Sequence, residues 1–159
     1  MQPDLRFLIS HPAHFVACGF GSGLSPRAPG TAGTLAAWAS FPLLAATLPE
    51  HLLLVVLAVF FVLGISVADR TGRDLGVSDH GAIVWDEMVP FWLILMLTPS
   101  GLAWQAAAFA LFRFFDIVKP PPVRWADSKV KGGFGVMLDD LFAAGYTLLV
   151  LALLKRFLD

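Results

Sequence analysis

The stretch "LLLVVLAVFFVLGISVA" occupies residues 52–68, and no charged side chain interrupts it. A segment that is apolar all round is typical of a membrane span or of a fully buried core helix. It is slightly shorter than the roughly 20 residues of a standard span, but flanking turns or a locally thinned bilayer can make up the difference. The segment therefore predicts a helix embedded in a membrane, with a compact soluble helical bundle as the alternative.

Four further blocks share this apolar character. They are residues 35–48, 88–98, 102–115 and 141–154. Over all 159 residues, hydrophobic side chains make up 57% and charged ones 14%, with a mean hydropathy of +0.75, whereas soluble domains have about 45–50% and about 25%. We therefore predict a single all-α domain, residues 1–159, in which a compact bundle of apolar helices is embedded in the membrane.

The connections between the blocks fall into two kinds. Short breaks that contain proline occur at 47–51 and 98–101. The long polar connections are residues 19–34, 69–87 and 116–140. If each block crosses once, the long, Gly/Pro-rich connections share one face, together with every Lys and Arg except Lys155 and Arg156. The positive-inside rule makes that face cytoplasmic.

Charge and cysteine content exclude some classes of protein. A net charge of −1 argues against a nucleic-acid partner. The single Cys18 excludes an intrachain disulfide. The N-terminus, with acidic Asp4 and a proline-broken apolar run, does not have the pattern of a cleavable signal peptide.

A glycine-rich segment, "GFGSGLSPRAPGTAGTL", fills residues 19–35. Glycines let a backbone approach a ligand closely and present N–H groups to an anion. The segment runs into an apolar block, so the amides around Gly30 and Thr31 are candidates for a helix N-terminus that binds phosphate. A purely structural loop is the alternative, because the segment matches neither a Walker A loop nor GxGxxG.

Adjacent carboxylates interrupt the stretch "IVWDEMVPFW", residues 83–92. Asp86 and Glu87 have apolar neighbours on both sides, and Asp79 precedes them. Burying an unpaired carboxylate costs several kcal/mol, and intramembrane carboxylates are usually functional. A buried salt bridge to an arginine is the alternative to a ligand site.

Two further polar groups lie on the same face. In "FRFFDIVKPPP" (112–122), Arg113, Asp116 and Lys119 are spaced i, i+3, i+6 and would line one helical face. They could neutralise one another or present two cations to a phosphate. In "VKGGFGVMLDD" (130–140), the last two residues, Asp139 and Asp140, could be ordinary first-turn residues of the apolar helix that follows.

The carboxylates of this face supply only oxygen ligands, without cysteine or convergent histidine. Such a set selects Mg²⁺ or Ca²⁺ rather than zinc. Mg²⁺ typically takes one or two carboxylates plus the phosphate oxygens of a substrate. The sequence therefore predicts phosphate-ester chemistry on a lipid.

Four stretches in order carry a family resemblance: "GFGSGLSPRAPGTAGTL", "DHGAIVWDEMV", "FRFFDIVKPPPVRWAD" and "KGGFGVMLDD". The chain resembles phosphatidylglycerophosphatase A, the bacterial enzyme that converts phosphatidylglycerophosphate to phosphatidylglycerol. The resemblance implies an all-helical fold, magnesium dependence and a place in the bacterial inner (cytoplasmic) membrane. The sequence contains no Cys-x5-Arg or Asp-x-Asp-x-Thr motif, so it lacks the motifs of phosphatases with a cysteine or aspartate nucleophile. A water molecule activated by metal is therefore the expected nucleophile.

For this activity, we expect each polar group to have a role. The expected metal ligands, for one or two Mg²⁺, are Asp86, Glu87, Asp139 and Asp140. Arg113 and the catalytic Lys119 would bind the phosphate, assisted by the amides of Gly30 and Thr31.

Asp116 or Asp79 would then accept the proton of the attacking water, or orient the residue that does so. A phosphatase for another lipid or soluble phosphomonoester is one alternative. A small ion or proton carrier is another, but the carboxylates gather at one face and are absent from mid-span, which argues against it.

Overall fold

A computed structural model describes residues 2–158, and within them the chain is all α-helical, without a strand. The α-helices of this part of the chain are α1 (Leu5–Ser10), α2 (Pro12–Ala17), α3 (Pro29–Thr47), α4 (Glu50–Leu75), α5 (Trp85–Leu97), α6 (Leu102–Val118), α7 (Val123–Lys129) and α8 (Gly132–Leu158). A 3₁₀ segment, Gly19–Leu24, joins α2 to α3. The prediction of an all-α fold is confirmed, and each apolar block falls within a helix to within one residue.

The two longest helices, α4 and α8, have 26 and 27 residues. Among the described residues, they are the two helices long and apolar enough to cross a membrane. They pack closely because glycines face the contact: a Cβ on Gly133 would stand 1.9 Å from the carbonyl oxygen of Ile65, and one on Gly64 would stand 2.5 Å from Met137 Sδ. Small residues that let backbones approach are typical of helix contacts in membranes.

Helix α4 extends beyond the predicted apolar block and takes in part of the expected polar connection. Its last two turns are charged, and the charges pair at i, i+4: Arg73 Nη1 lies 3.0 Å from Asp69 Oδ2, and Arg70 Nε lies 2.8 Å from Asp74 Oδ2. Gly76, at φ 76°, then ends the helix. Such pairs support a helical turn at the surface, and a hydropathy pattern alone does not detect them.

Helix α8 begins at Gly132, well before the predicted block at 141. Asp139 and Asp140 therefore lie in its third turn, and the expectation that they could be first-turn residues is wrong. Both side chains are buried, with 5% and 2% of their surface exposed. Helix-dipole stabilisation reaches only the first turn, so it does not account for these two carboxylates.

Helix α5 is the central helix of the bundle. Most of its residues are buried, against α3, α4 and α8. Its tryptophans fix the position of α5 along its neighbouring helices. Trp92 Nε1 donates to the carbonyl of Ala37 on α3 at 2.9 Å, and Trp85 Nε1 donates to that of Phe60 on α4 at 3.0 Å. Because α5 lies inside the bundle, the residues of its first turn are buried too.

The N-terminal segment, α1 to the 3₁₀ turn, covers the start of α5. The Val84 N–H donates to the Ala17 carbonyl at 2.8 Å. Gly23 lies against the loop before α5, where a Cβ would stand 2.1 Å from the carbonyl oxygen of Ala82. The segment therefore covers the N-terminal end of α5 on one side.

Candidate active site

The first turn of α5 carries Asp86 and Glu87, which are 6% and 9% exposed. Arg113, from α6, donates through Nη1 to Glu87 Oε1 at 2.9 Å. The same Nη1 lies 2.6 Å from Asp116 Oδ2, one turn further along α6. One guanidinium nitrogen thus bridges carboxylates of two helices, and the salt bridge considered as the alternative exists for Glu87.

The Glu87 carboxylate also lies against the start of α3. A Cβ on Gly30 would stand 2.0 Å from Glu87 Oε1, and one on Gly33 would stand 3.3 Å from Oε2. The first α-helical hydrogen bond of α3 runs from Ala32 N–H to the Ala28 carbonyl, so the amides of Gly30 and Thr31 precede it. The predicted helix start at this glycine-rich segment is confirmed, and a helix N-terminus favours a nearby anion.

Asp140 of α8 joins this group, since it lies within electrostatic range of Asp86, Glu87 and Asp116. These four acids and Arg113 form what we call the carboxylate cluster. Three of its oxygens are buried without a hydrogen-bond partner: Asp86 Oδ1, Glu87 Oε2 and Asp140 Oδ1. A buried acceptor without a partner costs about 1–3 kcal/mol, and more when it is charged, so the cluster is suited to a bound cation.

The chemistry of these donors fits a hard divalent ion. All three unpartnered atoms are carboxylate oxygens, the ligands that Mg²⁺ prefers. Within residues 2–158, no group of three or more Asp, Glu, His or Cys side chains is placed to hold a metal ion. Mg²⁺ does not require such a group, because it usually retains several waters and takes one or two carboxylates plus substrate oxygens.

Asp139 differs from the other predicted ligands because both of its oxygens have partners. Oδ2 accepts a hydrogen bond from Lys119 Nζ at 2.7 Å, and Oδ1 accepts one from the Asp140 N–H at 3.0 Å. Lys119 Nζ also donates to Asp127 Oδ1 at 2.6 Å. Asp139 thus belongs to a second group, which we call the lysine cluster: Lys119, Asp127, Asp139 and the nearby Asp79.

Lys119 does not continue the helical face of Arg113 and Asp116, as the i, i+3, i+6 spacing predicts. Helix α6 ends at Val118, and Lys119 caps it in the left-handed conformation, φ 49°. This turn redirects its side chain toward α7 and α8. Burial opposes its charge, but the hydrogen bonds that Lys119 donates to Asp127 and Asp139 outweigh that effect and raise the pKa of Lys119 above its ordinary value.

Asp79 lies in the loop between α4 and α5, at a polar cavity of about 40 Å³ that Asp127 and Asp139 also line. This volume holds about one water molecule, since each occupies about 30 Å³. Asp127 is the residue that the sequence reasoning missed. Its only signal was its place in "FRFFDIVKPPPVRWAD", after the prolines that redirect the chain.

The predicted site residues therefore fall into two adjacent groups. Gly30 and Thr31 border the carboxylate cluster, and Asp79 belongs to the lysine cluster. The two groups meet on α8, where Asp139 and Asp140 are consecutive and each serves one of them. Together they form a mixed-charge site at one end of the bundle, which is buried at Asp86, Glu87, Asp139 and Asp140 and exposed at Asp79 and Asp127.

Comparison with known proteins identifies a family. Residues 15–155 match the family model described as phosphatidylglycerophosphatase A. The chain is 46% identical over 151 residues to phosphatidylglycerophosphatase A of Haemophilus influenzae, covering 94% of this chain and 92% of that protein. It is also 46% identical over 139 residues to phosphatidylglycerophosphatase A of Escherichia coli K12, covering 87% and 80%.

A third relative has a different name. A putative phosphatidylinositol-3-phosphatase of Bacteroides thetaiotaomicron is 43% identical over 147 residues, covering 88% of this chain and 91% of that protein. No solved structure matches the chain significantly. The family model and the first two relatives nevertheless cover most of the chain, and all four motifs lie within the matched region. The chain belongs to the phosphatidylglycerophosphatase A family.

Proposed function

We propose that this protein is a Mg²⁺-dependent lipid phosphatase that hydrolyses phosphatidylglycerophosphate to phosphatidylglycerol and phosphate. The observation that carries the proposal is the set of three buried, unpartnered carboxylate oxygens beside Arg113. The names of the two 46% identical relatives support the substrate. The two long apolar helices support a membrane location, which we propose to be the bacterial inner membrane with the site on the cytoplasmic face.

In this proposal, one or two of the acids Asp86, Glu87 and Asp140 would hold each metal ion through the oxygens that have no partner, and substrate oxygens and water would complete its shell. Asp139 becomes a ligand only if it releases Lys119, whose Nζ donates a hydrogen bond to Asp139 Oδ2. A bound Mg²⁺ would supply positive charge to the phosphate and make an attacking water more acidic.

The phosphate itself is held by the cationic groups that retain free donors. Arg113 Nε is buried without a hydrogen-bond partner, and a guanidinium binds phosphate oxygens well because of its planar fork. Lys119 uses two hydrogen bonds on Asp127 and Asp139, which leaves one of its three N–H donors. The amides of Gly30 and Thr31 add the N-terminal end of α3.

The reaction requires one proton acceptor. The water oxygen forms a bond to phosphorus while the bond from phosphorus to the ester oxygen breaks, and the leaving alkoxide takes up the proton that the acceptor removed from the water. Asp116, held by Arg113 Nη1 at 2.6 Å, is oriented to accept the proton from water. Asp79, in the lysine cluster, is the second candidate for this role.

A related substrate is the second candidate function. The relative named a putative phosphatidylinositol-3-phosphatase is 43% identical over 88% of this chain. Both headgroups carry a phosphomonoester on a lipid, so the same cluster could act on either. The two substrates differ in the part of the headgroup beyond the phosphate, so contacts with that part would determine which substrate the protein prefers.

The experiment that tests the proposal measures phosphate release in detergent micelles, with Mg²⁺ or with EDTA. The two substrates are phosphatidylglycerophosphate and the phosphoinositide that the name of the third relative implies. Wild type, Asp140→Asn and the exposed control Glu50→Gln are compared. We expect Mg²⁺-dependent release from phosphatidylglycerophosphate that the first variant abolishes and the control retains. Faster release from the phosphoinositide would favour the second candidate, and equal release in EDTA would refute the metal requirement.

A further inference from the structure

An apolar groove of about 330 Å³ lies between α4, α5 and α8. Every lining residue is Leu, Val, Ala, Phe or Pro. Leu54 and Val62 of α4 line it, and both are exposed. The groove therefore opens at the surface of one of the two helices that are able to cross a membrane.

The groove starts at the level of the carboxylate cluster. On α5, Pro90 lines the groove and lies four residues after Asp86, so both side chains are on the same helical face. On α8, the lining residue Leu141 directly follows Asp140. The groove and the unpartnered oxygens thus share two helices and are separated by about one turn.

From that level the groove runs away from the polar end of the bundle. The hydrogen bond of Trp85 to Phe60 sets the start of α5 level with that turn of α4. Lining residues then continue to Leu54 on α4 and Leu93 on α5. From Val62 to Leu54 the path along the helix is about 12 Å, at 1.5 Å per residue.

We infer that this groove binds an acyl chain of the lipid whose phosphate occupies the carboxylate cluster. The inference rests on the proposed function and adds the site of the second half of the substrate. A phosphorylated lipid has a charged end joined to an apolar chain, and the protein presents a charged cluster joined to an apolar groove in the same order. The groove opens sideways, so the chain enters from the bilayer while the phosphate reaches the buried acids.

This arrangement predicts a dependence on chain length when the substrate starts in water. Each methylene that moves from water into an apolar site improves binding about fourfold. With short-chain, monomeric substrates, kcat/KM of wild type should therefore rise about fourfold per methylene that enters the groove, and level off when the groove is full.

Two neighbouring substitutions on α4 test the site. Ala58 lines the groove, whereas Val59 is exposed and does not line it. Ala58→Phe should lower kcat/KM for the longest-chain substrate at least tenfold relative to wild type, so that kcat/KM no longer rises with chain length. Val59→Phe should retain the wild-type dependence, since its ring would point into the lipid.

The outcomes separate the two proposals. If wild type releases phosphate and Ala58→Phe leaves the chain-length dependence unchanged, the groove assignment is wrong and the proposed function stands. If wild type releases no phosphate from any of these lipids, the proposed function fails, and this inference fails with it.

A binding measurement distinguishes the substrate from bulk lipid. Phosphatidylglycerophosphate with a photoactivatable diazirine on one acyl chain should cross-link to residues 54–62 and to Leu93, and the unlabelled lipid should displace it. Phosphatidylcholine with the same chain should label these residues much less. Equal labelling by both lipids, without displacement, would show that the groove holds ordinary bilayer lipid and would overturn the inference.

Discussion

The carboxylate of Glu87 lies so close to the backbone of Gly30 that a Cβ there would stand 2.0 Å from Oε1. A Cβ at this position would therefore force the Glu87 carboxylate to shift, because of this close approach rather than because of an unusual backbone angle at Gly30. The contact joins the start of α3 to the start of α5, and Arg113 holds the same carboxylate from the other side at 2.9 Å. The position of Glu87 thus depends on three helices at once.

Replacing Gly30 by alanine should displace this carboxylate. We expect Gly30→Ala to lower phosphate release at least 100-fold, about 3 kcal/mol, and to lower the melting temperature in detergent. Gly145→Ala on α8 is the matched control, because a Cβ there would meet nothing within 4 Å, and removing a helical glycine is neutral or stabilising. Normal turnover by Gly30→Ala would show that the position of Glu87 does not matter for catalysis.

Neutralising an acid that has an unpartnered oxygen should lower phosphate release and yet raise the free energy of unfolding. In EDTA, Asp140→Asn and Asp86→Asn should each raise the free energy of unfolding by about 1 kcal/mol or more, because each removes a buried charge that lies among other carboxylates and has one oxygen without a partner. The same variants should lose about 100-fold or more in phosphate release.

Asp69→Asn serves as the control for these two variants, since Asp69 forms an exposed i, i+4 pair with Arg73 and should change the free energy of unfolding by less than about 0.5 kcal/mol. Thermal unfolding in EDTA, beside phosphate release in Mg²⁺, gives both readouts. A loss of stability in both variants would mean that the acids have partners the structure does not reveal.

The lysine cluster should contribute to stability over a wide pH range. Lys119 is held by Asp127 and Asp139, and these hydrogen bonds raise its pKa despite burial. A raised pKa in the folded state means that the contribution is fully present below the unfolded pKa of about 10.4 and disappears only above it. Between pH 7 and pH 10, Lys119→Met should therefore have a constant deficit relative to wild type.

That deficit should be about 1–2 kcal/mol, less than the 3–5 kcal/mol of a fully buried pair, because solvent reaches the ammonium and screens it. Chemical denaturation at several pH values measures it. Lys129→Met, on the exposed surface of α7, is the control and should have no deficit. A Lys119 deficit that disappears near pH 8 would contradict the assignment.

Cys18 should be inert in the folded protein. It is fully buried beside Leu8 and Ala82, and burial raises the pKa of its thiol to about 11. Compared with an ordinary thiol of pKa 9.0, the reactive thiolate is about 100-fold scarcer near pH 7.5, in addition to the steric protection. Maleimide should therefore label the native protein only as it unfolds.

An exposed cysteine provides the comparison for this labelling. Ser128→Cys in a Cys18→Ala background places a thiol on the surface of α7, and it should react within minutes in the native protein. Mass spectrometry measures both rates. Rapid native labelling of Cys18 would show that the N-terminal segment opens readily from the start of α5.

The helical fold follows directly from apolar runs such as 52–68, because burial of apolar side chains dominates at those positions. The helix ends were harder to predict. Asp69 and Arg73 read as a polar connection, yet they continue α4 because charges at i, i+4 pair on the helix surface. Similarly, Gly132 and Gly133 read as a loop, but they begin α8, where glycine allows close contact with α4.

The site was only partly predictable, for a related reason. Asp86 and Glu87 stood out because their neighbours are apolar, and this is a local property. The partner of Lys119 depended on the left-handed turn at the end of α6 and on the placement of α7. Asp127 therefore became visible only in three dimensions.

Asp139 and Asp140, consecutive on α8, give the site an unusual sensitivity to changes in chain length. A single residue inserted between Gly135 and Asp139 would turn both carboxylates by about 100° about the helix axis. Both groups of charges would then lose their contribution from α8 in one event, although no side chain had been replaced. Insertions after Leu151, beyond the site, should be tolerated much better. Between Gly135 and Asp139, substitutions should be tolerated far more readily than insertions or deletions.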